Sequence, residues 1–144
     1  MSPIADVRVL VEAATELVET RADGAVHTVA AAGRTSSGRV VTGLNLSHFT
    51  GGPCAELVVL ANAAAAGETP LELVVAVGNR GRGVLPPCGR CRQVLLDHHP
   101  DVEVVLADGS GGLRTVGIAS LLAHAYVWSA QRPPPGDRLA APEV

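Results

Sequence analysis

Apolar residues near the start of the chain recur at steps of three and four, which is the spacing of an amphipathic helix. The series consists of Ile4, Val7, Leu10, Val11, Ala14, Leu17 and Val18. The Asp23-Gly24 pair ends it. Two short apolar segments follow, over residues 26–33 and 39–46, and the polar turn between them predicts a β-hairpin.

Two later segments are predicted to form buried helices. Residues 54–65 (CAELVVLANAAA) are rich in helix formers and too apolar for a surface helix, and residues 88–97 are expected to form a second buried helix. Between them, residues 73–77 (LVVAV) show no polar alternation, which indicates a strand covered on both faces. A glycine- and proline-rich loop over 78–87 separates that strand from the second helix. Beyond it the pattern predicts a strand, a turn and a short helix, over 102–106, 108–112 and 116–122.

Strands that alternate with helices predict a layered α/β domain with a mixed sheet. The whole chain has 144 residues, which is the size of one domain with a sizeable core. We place that domain at residues 1–129. Residues 130–144 are rich in proline and poor in core-forming side chains, so we expect them to be a disordered tail.

Composition and charge narrow the class of protein. Hydrophobic residues make up 47% and charged residues 17%, as in a globular domain, and the net charge of −3 argues against a nucleic-acid partner. The chain lacks both an apolar run long enough for a membrane span and the layout of a signal peptide, so we expect a cytoplasmic protein without a membrane partner. Thiols stay reduced there, and clustered cysteines are then more often metal ligands than disulfides.

The chain has three cysteines, in the segments Pro53-Cys54-Ala55-Glu56 and Pro87-Cys88-Gly89-Arg90-Cys91. Both segments are predicted to begin helices, whose positive ends favour thiolates. Catalytic zinc keeps three protein ligands and leaves its fourth position open for water. The spacing therefore predicts one zinc ion per subunit, bound by Cys54, Cys88 and Cys91.

Two charged residues within these segments have predicted roles beside the metal. Glu56 lies in the first helical turn after Cys54, where it can reach a water at the open position and move protons as the general acid and base. Arg90 lies between the two later cysteines and is predicted to donate hydrogen bonds to the sulfurs, because three thiolates on one divalent ion carry excess negative charge.

Other interpretations of the cysteines remain open. A CxxC pair alone also occurs in redox proteins, although the third cysteine and the C-A-E triplet argue against that use here. A structural zinc site is usually closed by four ligands, and His48 is the nearest candidate for a fourth. The remaining histidines are interpreted as surface or packing residues: His27, His98, His99 and His124.

The C-A-E and P-C-x-x-C motifs resemble those of the zinc-dependent cytidine deaminase superfamily. Within it, the stretches HFTGGPCAELVVLANAAAA and GNRGRGVLPPCGRCRQVLLDHHP are most similar to the blasticidin S deaminases. The resemblance extends from about Thr28 to Trp128. It implies a three-layer α/β/α cytidine deaminase-like domain with a five-stranded mixed sheet, and a homotetramer.

The resemblance also implies a reaction and a set of substrate contacts. The expected reaction is hydrolytic deamination of the cytosine of a small nucleoside, namely of blasticidin S to its deaminohydroxy form with release of ammonia, which would confer antibiotic resistance. The expected substrate-binding residues are Thr28, Asn45, Ala55, Arg82, Tyr126 and Trp128. Arg82 would grip the carboxylate that blasticidin-type nucleosides carry on the sugar.

This chain differs from ordinary cytidine deaminases at two positions. Where their motifs have a stacking phenylalanine and a glutamate that holds the ribose hydroxyls, it has Thr28 and Ser47. Loss of that charge-assisted acceptor is worth about 1.5–3 kcal/mol for a ribose diol. The alternatives are a cytidine or deoxycytidine deaminase of pyrimidine salvage and, from another class, a non-catalytic zinc module.

Overall fold

The computed structural model describes residues 3–131. In chain order its elements are α1 (Pro3–Arg21), β1 (Val29–Thr35), β2 (Val40–Leu44), α2 (Ala55–Ala65), β3 (Leu71–Gly78), β4 (Gly83–Leu85), α3 (Gly89–His98), β5 (Glu103–Ala107) and β6 (Leu113–Gly117). Two 3₁₀ turns follow, Ile118–Leu121 and Trp128–Gln131. The tail predicted over 130–144 lies, beyond Gln131, outside the described residues.

The strands form one mixed sheet in the order β2-β1-β3-β5-β6. β3 and β5 run parallel, and the other pairings of the described strands are antiparallel. β4 pairs with Ala76–Gly78 of β3. On the same edge of β3, β5 pairs with two residues that precede this stretch. The predicted mixed sheet is confirmed, with six strands rather than five.

The alternation of side chains along the central strands divides the core into two halves. On one face of the sheet, Ala30 and Ala32 of β1 pack with α1; on the other face, Ala31 packs with α2. In β3, Leu73, Val75 and Val77 face α1, whereas Val74 and Ala76 face α2 and α3. Because successive strand residues point to opposite faces, a run without polar residues is buried by helices on both sides. The three-layer α/β/α arrangement is thus confirmed.

Two predicted elements differ from the structure. The short helix expected over 116–122 is wrong for its first part: residues 113–117 form β6, paired with β5 through a turn, and only Ile118–Leu121 is helical. The loop expected over 78–87 contains β4. Neither strand has a buried alternating face, since most of β6 is exposed and β4 is three residues long.

The topology brings five chain segments together at one end of the sheet. The register pairs Val29 with Gly78 and Ala30 with Leu44, so β1 begins where β2 and β3 end. α2 and α3 also begin at this end, each directly after a cysteine. Among the described residues, no helix combines the length and apolar character that a membrane crossing requires.

Candidate metal and catalytic site

The three cysteines meet at the ends of two helices. Their Sγ atoms all lie within 4.8 Å of one another, and the Cys54 and Cys88 sulfurs are 3.6 Å apart. Two thiolates on a tetrahedral zinc ion are about 3.8 Å apart, given zinc–sulfur bonds of about 2.3 Å. The donor set therefore fits zinc in both chemistry and spacing. Within residues 3–131, no histidine or carboxylate joins this group as a fourth member.

Both helices begin directly after a cysteine, and the start of α3 favours a thiolate at Cys88. Cys54 and Cys88 are the N-cap residues of α2 and α3, with extended backbone conformations, and the Cys88 sulfur accepts the backbone N–H of Cys91 at 3.5 Å. Burial alone would raise the pKa of Cys88, but hydrogen bonds from the Cys91 backbone and the Cys54 thiol outweigh it, so the pKa is lowered. The N-terminus of α3 thus prepares the Cys88 sulfur for a cation.

Cys91 is the buried member of the group. Its surroundings raise its pKa, first because burial disfavours the thiolate and then because the negative charge of Glu56 repels it. A divalent cation among the sulfurs would reverse this balance, since its charge stabilises the thiolate directly. Binding of a metal at this site is therefore coupled to release of protons.

Glu56 lies in the first turn of α2 and is only 6% exposed. Its Oε2 atom is 3.7 Å from the Cys91 sulfur. Burial raises the pKa of this carboxyl, against the effect of its own backbone hydrogen bond and of the Cys91 thiol. A raised pKa makes a carboxylate a stronger proton acceptor, which suits acid–base catalysis.

The side chain of Arg90 makes the contact that its sequence position predicted. One guanidinium nitrogen, Nη2, lies 3.6 Å from the Cys54 sulfur and 2.6 Å from the carbonyl oxygen of Gly52. The pKa of Arg90 is raised by the Cys54 hydrogen bond and by the charge of the cysteines. Arg90 thereby joins the start of α3 to the loop that precedes α2.

Gly52 is a residue of this site that sequence reasoning left unassigned. A Cβ atom there would lie 1.6 Å from the carbonyl oxygen of Leu46, so no other residue fits without moving the backbone. The N–H of Leu46 in turn donates to the carbonyl of Pro53 at 3.1 Å. The Gly51-Gly52 pair in front of Cys54 was the available signal, because adjacent glycines often mark a close backbone approach.

A cavity of about 320 Å³ opens beside the cysteines. Its polar lining comes from Asn45, Ser47, His48, Cys54, Glu56 and Cys88. Its apolar lining includes Val29, Ala55, Ala76, Leu85 and Pro86. A flat ring against these apolar side chains, with its polar edge toward the sulfurs and the carboxyl, matches this distribution.

Asn45 and Thr28, both predicted substrate contacts, are held to each other. The Asn45 Oδ1 atom accepts the backbone N–H groups of Thr28 and Val29 at 2.7 and 2.9 Å. Its Nδ2 atom donates to the hydroxyls of Thr28 and Ser47 at 3.2 and 3.3 Å. Asn45 lines the cavity, whereas Thr28 stands beside it and is not part of the lining.

Arg82 lies close to these residues but outside the cavity lining. Its Nη2 atom donates to the carbonyl of Thr28 at 2.7 Å and to the side chain of Asn79 at 2.8 Å. Its Nε atom donates to the Asn79 carbonyl at 3.3 Å. Within this chain the guanidinium therefore links the start of β1 to the end of β3. Its contact with a substrate carboxylate stays a prediction.

Tyr126 and Trp128 are not brought to the cavity within the described chain. They line a separate depression against the end of α3, where the Trp128 ring meets the His98 ring edge-on at 5.9 Å between centroids. Both side chains are substantially exposed. Their contact with substrate stays a prediction.

Known proteins with this arrangement are found by sequence and by structure. No protein-family model matches the chain. Over 126 residues it is 31% identical to a blasticidin-S deaminase of Bacillus cereus, covering 81% of this chain and 89% of that protein. The chain belongs to the cytidine deaminase superfamily. The match extends over most of both proteins.

Further members of the superfamily are cytidine deaminases. A 72-residue match to that of Mycobacterium tuberculosis is 44% identical and spans 49% of this chain and 53% of that protein. The crystal structure of the M. tuberculosis enzyme superposes with a TM-score of 0.71 at 31% identity, over 85% of this chain and 98% of that one. The Burkholderia pseudomallei structure gives 0.68 at 33% identity, over 88% and 100%. The chain is accordingly an enzyme, and deamination of a cytosine nucleoside is its reaction class.

Proposed function

We propose that this enzyme is a zinc-dependent hydrolase that deaminates blasticidin S. The observation that carries the chemistry is the open group of three sulfurs beside the buried Glu56 carboxyl. When bound, zinc would lower the pKa of a water molecule to near neutrality at the fourth position. Cys54, Cys88 and Cys91 would hold the ion, one per subunit, and no protein group competes with water for that position within residues 3–131.

The chain itself supplies the proton transfers. Glu56 would take a proton onto its carboxylate from the attacking water and deliver it to the ring nitrogen next to the amino-bearing carbon. It would then take the second proton from the hydroxyl added at that carbon and deliver it to the amino group, which leaves as ammonia while the carbonyl forms. Burial raises the pKa of Glu56 above its ordinary value, which makes the carboxylate a stronger proton acceptor. The apolar walls formed by Val29, Ala76 and Leu85 would keep bulk water from the carboxyl.

Three features support blasticidin S as the substrate. The alignment with the relative named blasticidin-S deaminase covers most of both chains. The cavity offers Ser47 where a ribose diol would need a carboxylate acceptor. Glu56 is the only carboxylate among the cavity-lining residues of the described chain, so a sugar that itself bears a carboxylate meets no negative side chain apart from Glu56 and the thiolates at the reacting end.

Steady-state kinetics on blasticidin S and cytidine test the assignment. Loss of the cytosine chromophore in the ultraviolet measures turnover, and expression in a sensitive bacterium measures resistance. We expect the higher kcat/KM for blasticidin S. A higher kcat/KM for cytidine would instead establish the salvage enzyme, which the solved cytidine deaminase structures favour as the second candidate.

The quaternary state is part of the same proposal. Three aromatic side chains, Phe49, Tyr126 and Trp128, are 95%, 61% and 42% exposed in the single chain. Aromatic residues are enriched at protein interfaces. Their exposure supports the homotetramer that the sequence resemblance implies, and light scattering on the purified protein measures its mass directly.

A further inference from the structure

The cavity has polar groups that the deamination chemistry does not use. Cys54, Cys88 and Glu56 belong to the reacting end of the site, whereas Asn45, Ser47 and His48 are the other polar side chains of the lining. In cytosine, the amino-bearing carbon and the nitrogen that carries the sugar lie on opposite sides of the ring. A nucleoside whose amino group meets the metal site therefore directs its sugar away from it, toward the second group.

Asn45 has no hydrogen-bonding capacity left for a sugar. Its two acceptor positions are taken by the backbone N–H groups of Thr28 and Val29, and its two donors by the hydroxyls of Thr28 and Ser47. The amide orientation is fixed, because backbone N–H groups can only donate. The Ser47 oxygen accepts from Asn45, so its own O–H remains available as a donor.

His48 is held in one tautomer by the loop that follows it. The backbone N–H of Thr50 donates to His48 Nδ1 at 3.2 Å, and the Thr50 hydroxyl contacts the same nitrogen. Because an N–H group can only donate, Nδ1 must accept, and the neutral ring then carries its proton on Nε2. Within residues 3–131 this Nε2–H has no hydrogen-bond partner, and the Phe49 ring lies against the imidazole at 4.5 Å between centroids, with the ring planes tilted by 37°.

We infer that His48 determines the sugar specificity of the enzyme by donating its Nε2–H to an acceptor on the sugar. Together with the Ser47 hydroxyl it gives the sugar end of the cavity donors in place of an acceptor, which matches a sugar that bears a carboxylate. A carboxylate only accepts, so it satisfies both donors, whereas a ribose diol also brings protons that find no carboxylate here. The inference rests on the proposed deamination of a cytosine nucleoside.

A pair of amide variants separates the two nitrogens of His48. In His48→Asn the amide takes the place of Nδ1, which keeps the Thr50 contact and removes the Nε2 donor. In His48→Gln the amide nitrogen reaches the place of Nε2 and keeps the donor. The substrates are blasticidin S, cytidine and free cytosine, and thermal melting and zinc content of both variants verify that the fold and the metal site are intact.

For His48→Asn we expect the KM for blasticidin S to rise by about tenfold with kcat within about twofold of the parent, because one hydrogen bond to a charged group is lost. The KM of His48→Gln for blasticidin S should stay within about threefold of the parent value. In His48→Asn, the KM for cytidine should rise less than the KM for blasticidin S. Turnover of free cytosine should not distinguish the variants from the parent.

Two results would overturn the inference while leaving the proposed function intact: a KM for blasticidin S that is unchanged in His48→Asn, or equal losses in the Asn and Gln variants. A parent enzyme that turns over neither nucleoside would refute the proposed function itself, and the inference with it. The two failures are thus distinguished by the activity of the parent.

Discussion

The Cys91 sulfur lies 3.7 Å from Oε2 of Glu56, and both side chains are buried. One element supplies the carboxyl and another the thiol, since Glu56 belongs to the first turn of α2 and Cys91 to that of α3. In the metal-free chain the Glu56 charge raises the cost of a negative charge on Cys91, whereas the Cys91 thiol donates to the carboxylate and lowers the pKa of Glu56 against the larger effect of burial. A cation among the sulfurs would remove that conflict, so the buried carboxyl and the three sulfurs are parts of one arrangement.

Replacing the buried ligand should abolish metal binding. In Cys91→Ala only two sulfurs remain, and the described residues place no other cysteine, histidine or carboxylate in the group. We expect the zinc content after gel filtration to fall from about one per chain to below about 0.1, with activity lost in parallel. Elemental analysis measures the zinc content. The control is Ser120→Ala, at an exposed residue outside the cysteine group. Full zinc occupancy in Cys91→Ala would contradict the assignment of ligands.

Arg90 should influence the metal through the Cys54 sulfur. Its guanidinium contacts that sulfur and the Gly52 carbonyl, so Arg90→Ala removes a donor that spreads the negative charge of the thiolates. We expect zinc affinity, measured by competition with a chelator, to fall by about tenfold or more. Arg8→Ala on α1 is the matched control. Unchanged affinity and unchanged kinetics would remove Arg90 from the metal site.

Gly52 should tolerate no side chain. In Gly52→Ala the new methyl group would meet the Leu46 carbonyl, so the loop carrying Cys54 must shift. Overpacking of this kind costs about 1–3 kcal/mol, and we expect a lower melting temperature and a kcat/KM reduced by at least about tenfold. Gly117→Ala, where a Cβ has nothing within 4 Å, should match the parent. Equal activity of the two variants would show that the loop can relax.

His99 should make the stability of the fold depend on pH. Its Nδ1 accepts the backbone N–H of Leu71 at 3.1 Å, and its pKa is lowered because burial disfavours the imidazolium and the neighbouring His98 repels it. A histidine with a lowered pKa contributes stability that is complete above its ordinary value of about 6.5 and is lost as the pH falls through the folded-state pKa.

The measurement compares the free energy of unfolding at pH 7.5 and pH 5 in the parent and in His99→Asn. The Asn amide oxygen can accept the Leu71 N–H without titrating, so the parent should lose on the order of 1 kcal/mol more than the variant on acidification. His124→Asn, at an exposed residue with a positive φ that Asn adopts readily, should behave like the parent. Identical pH profiles for the parent and His99→Asn would contradict this role.

The sequence predicted the elements that have strong periodicity or strong apolar bias. The spacing from Ile4 to Val18 identified α1, and the apolar runs over 54–65 and 73–77 identified α2 and β3. The cysteine spacing predicted a group of three sulfurs because cysteines at two helix starts share one end of a sheet. The helices and the strand follow from patterns within single chain segments. The cysteine group follows from two short motifs, each at the start of a helix.

The remaining features depend on contacts between distant segments. β4 has three residues and β6 is mostly exposed, so neither carries a clear pattern, and pairing with β3 and β5 defines them. The hydrogen bonds that saturate Asn45 and occupy Arg82 come from the register of β1 against β2 and β3. The tautomer of His48 depends on the geometry of its own loop. From the residue types alone, the sequence indicated these positions but not the residues that they contact.

The most direct test of the account is ammonia release by Glu56→Gln at full zinc occupancy, with metal content measured on the same sample. The account predicts that the variant keeps about one zinc per chain, because Glu56 is not a ligand, while kcat falls by about 10²–10⁴-fold through loss of the proton carrier. Release of ammonia at the parental rate by the zinc-loaded variant would contradict it, and a wild-type protein inert toward every cytosine nucleoside would indicate a non-catalytic zinc module instead.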